Sequence, residues 1–240
     1  MTRLWVAAAT AALLGLSGGA AAKDEPAPAP KIPAAQRAED EAVLKAALHI
    51  SQRRFDDALA VLDPMIAAHD AQAAGEKRRI FSARSLAETM EYMLGAANNH
   101  EDSVVMSYTW GNALYLKGFV LIELQRVDEA KLFLERAVTL SPNNAKFLGE
   151  LGEWYKTRGR LDEAEAMFKR AEIVSGFSPD ELKLPEKTRA MRGVAWVAVE
   201  RGRLDEADAI YRECLALNPD DQMAKSERAY IAQQRLKSMR

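Results

Sequence analysis

Residues 127–164 read VDEAKLFLERAVTLSPNNAKFLGELGEWYKTRGRLDEA, a stretch that begins and ends with nearly the same tetrad. The Val-Asp-Glu-Ala tetrad at 127–130 returns as Leu-Asp-Glu-Ala at 161–164, which is 34 residues later, and again at 204–207. Self-similarity at a fixed period of this length predicts a stack of helical hairpins, because one such unit cannot bury its apolar face alone.

The match extends beyond the tetrad to slots that hold small or large apolar residues. Corresponding positions of the first two copies are Leu114 and Leu148, Gly118 and Gly152, Leu121 and Tyr155, Leu134 and Phe168, and Ala137 and Ala171. In the third copy they are Met191, Ala195, Ala198, Tyr211 and Cys214. The spacing places these slots on one face of each helix. Small residues then allow two helices to cross closely, and large ones fill the gap toward the next hairpin.

A 34-residue period with these slots resembles the tetratricopeptide repeat (TPR). The resemblance implies an all-α fold, an α-solenoid of antiparallel helix pairs (a TPR superhelix) with a C-terminal capping helix. The predicted array covers 103–221, with repeats at 111–144, 145–178 and 188–221, and the capping helix covers 222–240.

The chain before the array is less regular. The Phe-Asp-Asp-Ala sequence at 55–58 resembles the tetrad, so 37–102 is predicted to be a helical region with a degenerate TPR-like pair. Residues 85–88 form a capping-box pattern that predicts a helix start. Ser103 or Ser107 is expected to begin the first long helix of the array.

The connections between helices also leave signals. Gly159 and Gly202 precede the second and third tetrads, where a chain leaving a helix commonly takes a left-handed conformation. Ser141-Pro142 and Asn218-Pro219 are expected to begin the following helices, with the polar side chain as the cap. Glu165 is expected to face solvent.

The last two tetrads are 43 residues apart, nine more than the period. Residues 178–181 are expected to start a short turn or helix, and Pro185 to open the next long helix. This insertion is interpreted as a longer connection.

The N-terminus predicts export. Arg3 precedes an apolar stretch at 4–16, and three alanines at 20–22 fit the cleavage rule, so residues 1–22 are predicted to be a secretory signal peptide. An uncleaved anchor or a buried helix is the alternative. Alternating proline and alanine predict an extended linker at 23–36. The periplasm of a bacterial-type cell is the expected location, and secretion is the alternative.

Charge and cysteine content exclude some classes of protein. The formal net charge is −2 with both signs interspersed. This balance argues against a nucleic-acid binder. Cys214 is the only cysteine, so no intrachain disulfide is available, and its slot favours a small apolar core residue over a reactive thiol.

No catalytic or metal-binding motif is recognised. His49, His69 and His100 lack a ligand partner at helical spacing and are expected at the surface or half-buried. The acidic pairs of the tetrads begin helices, where negative charge favours the helix dipole, so they are not interpreted as paired catalytic carboxylates. We therefore predict no enzyme activity, no cofactor and no metal.

The resemblance also implies where a partner would lie, because the first helices of successive TPRs line a concave groove. The residues at the corresponding positions are Asn112, Tyr115, Phe119, Lys146, Glu153, Lys156, Arg189, Arg192 and Trp196. Aromatic and cationic side chains suit an extended or helical segment of acidic character. Partial burial between repeats is the alternative for the aromatic residues, and simple solvation for the cations.

The predicted function is a scaffold or adaptor that binds another protein or peptide in this groove. One alternative is a structural module that forms homo-oligomers or bridges domains. The other is a small-ligand protein or enzyme with a pocket between residues 71–102 and the groove. No nucleic acid and no stable membrane insertion after signal cleavage are expected.

Overall fold

A computed structural model describes residues 33–238, so the predicted signal peptide and most of the linker lie outside the described residues. The N-terminal elements are α1 (Ala34–Ser51), α2 (Phe55–Ala73), β1 (Arg79–Ser82), α3 (Leu86–Asn98) and β2 (Ser103–Met106). The array follows as α4 (Tyr108–Glu123), α5 (Val127–Leu140), α6 (Ala145–Thr157), α7 (Leu161–Val174), a 3-10 turn (Ser175–Phe177), α8 (Asp180–Glu200), α9 (Leu204–Leu217) and α10 (Gln222–Ser238).

Consecutive helices form hairpins that stack side by side. The pairs α1–α2, α4–α5, α6–α7 and α8–α9 pack within themselves; α2 also packs on α4, α6 on α8, and α10 on α9. This is the predicted all-α solenoid of helix pairs, and α10 covers its C-terminal end. Between residues 33 and 238, no helix combines the length and apolar character needed to span a bilayer.

The same backbone turn recurs between the two helices of each hairpin. Gly159 and Gly202 have φ of +67° and +71°, which confirms the left-handed turns predicted for them. Arg53 and Gln125 take the same conformation, with φ of 56° and 60°. The turn between α1 and α2 therefore repeats the geometry of the array.

The left-handed conformation of Gln125 predicts that glycine at this position would stabilise the fold. A left-handed residue with a side chain costs about 1–2 kcal/mol, and the greater freedom of glycine in the unfolded chain offsets part of that. We expect Gln125→Gly to raise the unfolding free energy by about 0.5–1 kcal/mol, measured by urea denaturation. The reciprocal control, Gly202→Gln, should lower it by a similar amount. A destabilising Gln125→Gly would contradict this account of the turn.

Small residues lie where the helices cross. Ala130, Ala164 and Ala207 are fully buried. A Cβ added to Gly152 would lie 2.7 Å from the ring of Phe168, and one added to Gly193 would lie 2.5 Å from it. The Phe168 ring therefore fills the space between α6 and α8 that these two glycines leave open.

Cys214 occupies a core slot, as the packing interpretation requires. Its side chain is fully buried, and burial raises the pKa of its thiol to about 11. A thiol of this kind is protonated at neutral pH and is a weak nucleophile.

The acidic first turns make ion pairs rather than side-chain caps. Glu129 pairs with Arg126 at 2.7 Å and Glu206 with Arg203 at 2.9 Å, each across three residues. The Arg126 hydrogen bond is the main reason that the pKa of Glu129 is lowered. These carboxylates are exposed. Their ion pairs and their favourable interaction with the helix dipole explain why they occur at these positions, and each contributes little to the unfolding free energy.

Two predicted helix starts are wrong. Ser141 and Asn218 cap the C-termini of α5 and α9, and the following helices begin four residues later. Asn144 caps α6 by accepting a hydrogen bond from Phe147 N at 3.2 Å, and Asp221 does the same for α10 from Ala224 N at 3.0 Å. Each proline therefore lies in the turn between the two helices, before the residue that caps the second.

Three further expectations are corrected by tertiary contacts. Pro185 lies inside α8, which begins at Asp180, so it does not open this helix. Glu165 is buried and pairs with Lys169 at 2.7 Å and with Arg201. His69 is buried against Trp110, with ring centroids 5.7 Å apart.

The segment 79–107 contains two strands that the sequence analysis did not predict. β1 and β2 pair in parallel, with Arg79 opposite Ser103 and Ser82 opposite Met106. α3 connects them and packs on both strands. The Ser141 hydroxyl donates to the Ser82 carbonyl at 2.5 Å, which attaches this unit to the end of α5.

A buried charge network fixes α3 to the beginning of α8. Arg84 binds Glu88, the fully buried residue of α3, at 2.8 Å and Glu186 of α8 at 2.7 Å. Ser178 donates to Glu186 at 2.6 Å. Burial opposes the charge of Arg84, but Glu186 and Glu88 hold its pKa above the ordinary value. The additional segment between the last two tetrads, which includes Ser178 and Glu186, therefore holds α3 in place.

Candidate functional site

The nine predicted partner-binding residues lie on the first helices of the three hairpins of the array. Asn112, Tyr115 and Phe119 are on α4; Lys146, Glu153 and Lys156 on α6; Arg189, Arg192 and Trp196 on α8. The structure brings seven of them into two adjoining clusters. Asn112 and Phe119 are half-buried on α4 and do not line the pocket described next.

Five of the nine residues line a pocket of ≈ 270 Å³ between α6, α8 and α10, here called the Trp196 pocket. They are Glu153, Lys156, Arg189, Arg192 and Trp196. Lys156 Nζ lies 4.6 Å from the centroid of the Trp196 ring. The pocket therefore combines an aromatic wall with charged side chains at its border.

Four residues of this pocket were not predicted from the sequence: Gly193, Tyr211, Met223 and Glu227. Tyr211 is buried, and its hydroxyl has no hydrogen-bond partner among the described residues. Met223 is exposed and supplies a second apolar wall. The helical groove pattern considers only the first helix of each pair, so it gave no signal for side chains that α9 and α10 contribute.

The second cluster surrounds Lys146. Lys146 Nζ lies 4.4 Å from the centroid of the Tyr115 ring. That ring is buried and stacks on Phe147 at 5.2 Å. Tyr115 is therefore mainly a packing residue. Burial, followed by the charge of Glu150, raises the pKa of its hydroxyl.

Most predicted cations of the site are neutralised within the chain. Lys156 pairs with Glu153 at 2.8 Å, Arg189 with Glu150 at 2.9 Å, and Arg192 with Asp221. Glu150, Asp221 and Glu227 lie beside the predicted residues and add negative charge to this surface. These neighbours come from the packing of α6, α8 and α10, which residue spacing does not reveal.

Lys146 is the exception. Among residues 33–238 it has no ion pair, and its ammonium lies over the Tyr115 ring. Burial is the first reason that the pKa of Lys146 is lowered and the nearby charge of Arg84 is the second, while Glu186 and Glu150 act in the opposite direction from beyond ion-pair distance. A partly desolvated ammonium without an ion pair gains more than an exposed one from an anionic partner.

Arg192 has a structural task as well. Its partner Asp221 is buried and caps α10 through its other oxygen. Arg192 therefore attaches the capping helix to α8 and shapes one side of the Trp196 pocket. A substitution at Arg192 would disturb the fold together with any binding.

Two other features bear on the predicted chemistry. A pocket of ≈ 450 Å³ lies beside β2, lined by Glu39, His69 and Gln72 among others. Within the described part of the chain, no group of three or more His, Cys, Asp or Glu residues is placed to hold a metal ion. The absence of a cofactor remains a prediction.

Comparison with known families matches two models of the tetratricopeptide repeat, one over residues 121–173 and the other over residues 150–222. Together the two matches span residues 121–222. TPRs generally mediate interactions between proteins, and their stacked helices create extended binding surfaces. A comparison with curated proteins gives no match.

Solved structures of other proteins are similar to this chain. The structure from a functional characterisation of Pseudomonas aeruginosa pilF has 14% identity and a TM-score of 0.59, covering 84% of this chain and 70% of that chain. At this identity the likeness shows the fold alone. The first TPR of Spaghetti (RPAP3) bound to an HSP90 peptide has 20% identity and a TM-score of 0.45, covering 52% and 91%. The Arabidopsis OM64 TPR domain has 18% identity and a TM-score of 0.45, covering 52% and 95%.

Proposed function

We propose that this chain is an exported, periplasmic adaptor that binds a segment of a partner protein along α4, α6 and α8. In this proposal an acidic side chain of the partner pairs with Lys146, and an apolar side chain enters the Trp196 pocket. The single observation that carries the proposal is the contrast between Lys146 and the other cations. Lys146 is partly desolvated and makes no ion pair, since Glu186 and Glu150 act on it only from beyond ion-pair distance, while its neighbours are already paired.

The composition of the partner segment follows from these contacts. A segment with many acidic residues would have to displace Glu150, Glu153 and Asp221, which are already held by the chain's own cations. One acidic residue suffices for Lys146. Trp196 and Met223 favour an apolar anchor, and the Tyr211 hydroxyl offers it a hydrogen bond.

Crosslinking identifies the partner. A photoreactive amino acid at Trp196 should crosslink one envelope protein in cells, because this ring lies in the pocket, whereas Tyr115 is packed against Phe147. The purified partner is then titrated into the full chain by calorimetry. Crosslinking only to a second copy, with a doubled mass in light scattering, would favour the oligomeric alternative and overturn the adaptor.

Lys146→Met separates binding from folding. Methionine keeps an apolar stem on Tyr115 and removes the desolvated charge, so we expect the unfolding free energy to change by no more than about 1 kcal/mol. Affinity for the crosslinked partner should fall at least about tenfold.

The matched control is Lys225→Met, because Lys225 is an exposed lysine of α10. Its affinity should stay within about twofold of the parent. Equal affinities for Lys146→Met and the parent chain would overturn the role assigned to Lys146.

A further inference from the structure

Helix α3 buries Glu88, Tyr92 and Ala96 against the protein and leaves its other large apolar side chains exposed. Its fully buried residue is Glu88, at 0% exposure, whereas Leu86, Met90, Met93 and Leu94 are 74%, 63%, 51% and 59% exposed. A surface helix normally buries its apolar stripe and exposes its charges. The exposed side chains are four and then three and one residues apart, so they form one continuous stripe on one face.

This stripe is held rigidly. On the buried face, Glu88 is bound by Arg84, and Tyr92 stacks on Phe81 with ring centroids 4.9 Å apart. Asn143 N donates to the Tyr92 hydroxyl at 3.2 Å, and the Ser85 hydroxyl donates to the Phe177 carbonyl at 3.3 Å. The helix is thus attached to the array at both ends of its buried face. Its apolar stripe is therefore exposed in a fixed position.

We propose that α3 inserts its exposed stripe into an apolar groove of a partner protein, with a lysine or arginine at the rim of that groove facing Glu91. Docking of an amphipathic helix through residues spaced in this way is a common recognition mode. The two methionines adapt their shape to a partner surface at small cost.

The charge of α3 selects this occupant over a membrane. Glu88 and Glu91 are the only charged residues of the helix, and Glu88 is used internally. Helices that lie in a lipid interface carry lysine and arginine on the polar face. α3 has neither, so anionic headgroups would be repelled by Glu91 rather than attracted.

A second copy of the chain is also disfavoured. A helix of 13 residues is about 20 Å long. Two α3 stripes packed on each other would bury on the order of a few hundred Å² each, below the roughly 800 Å² per partner of a stable interface. A groove in a partner protein would also contact the sides of the stripe, where Glu91 lies.

The first step of the test is crosslinking from Met90 in cells of the source organism. A photoreactive residue at Met90 should crosslink a different protein. The same residue at Ile173, which is 77% exposed on α7, is the control and should not. A crosslink from Met90 to a second copy, to residues 1–32 of the same chain, or to no protein overturns the proposal.

The second step measures the purified partner. Met90→Asp with Leu94→Asp should weaken binding at least tenfold, while Ile173→Asp leaves it unchanged; thermal melting confirms that all variants fold. Glu91→Lys should weaken binding several-fold, and reversing the rim cation of the partner should restore it. Loss of binding without any effect of Glu91→Lys overturns the rim assignment.

Two controls separate this surface from its alternatives. Lys146→Met should leave binding at α3 intact, so failure of the groove proposal and of this one are distinguishable. Vesicles of phosphatidylethanolamine and phosphatidylglycerol should not bind the full chain. Flotation with the vesicles that is lost in Met90→Asp would identify a lipid surface instead and overturn the protein partner.

Discussion

Phe168→Ala is expected to lower the unfolding free energy by about 4 kcal/mol, toward the upper end of the cost of removing a buried aromatic ring. The ring is fully buried and lies between Gly152 and Gly193, with an ideal Cβ at either glycine less than 3.0 Å from it. When the ring is removed, these neighbours have no side chains that could move into the space. The cavity therefore stays open, and its volume adds to the lost transfer energy.

The measurement is chemical denaturation of Phe168→Ala beside Ile173→Ala. Ile173 lies on the same helix and is exposed, so its truncation should cost less than about 0.5 kcal/mol. Gly193→Ala in the parent chain should also destabilise, because the added carbon meets the same ring. Similar losses for Phe168→Ala and Ile173→Ala would refute the assignment of Phe168 to the contact between repeats.

Arg84→Met is the second large effect, expected to cost about 3–5 kcal/mol because it leaves Glu88 buried without a cation. Glu186 faces the same space, so two carboxylates would remain beside each other. The loss should concentrate in α3 and its strands, since these are the elements that Arg84 attaches to α8. Hydrogen exchange of the amides of 79–106 measures that localisation.

Arg78→Met is the matched control. Arg78 pairs with Glu76 at 2.6 Å but is half exposed, so its removal should change the unfolding free energy little, because solvent screens such a pair. Adding Glu88→Gln to Arg84→Met should recover part of the stability, because it removes the charge that lacks a partner. No recovery would mean that shape, rather than charge, determines the cost.

The array could be predicted from sequence because its information is local. Gly159 and Gly202 mark turns that any similar hairpin requires, and Ala164 must be small wherever two helices cross at that point. A period of 34 residues then fixes the order of the hairpins. These features depend on neighbours that lie close in the chain or one period away.

The remaining features depend on contacts that spacing does not encode. The strands Arg79–Ser82 and Ser103–Met106 have four residues each and pair in parallel across α3, so neither shows a clear alternating pattern. The pairing of Arg192 with Asp221 follows from how α10 closes the array. The predicted site residues lie on α4, α6 and α8, but the charges that surround them follow only from the tertiary structure.

The brace between Arg84 and Glu186 joins residues 102 positions apart. Hairpins such as α4–α5 form from contacts close in sequence and so assemble early, whereas a contact of this range must wait for the intervening chain to order. During synthesis from the N-terminus, α3 emerges long before its anchoring position on α8 exists. Helix α3 is therefore translated well before the contact that fixes it can form. Its exposed apolar stripe lacks a fixed support while the residues between Arg84 and Glu186 are synthesised.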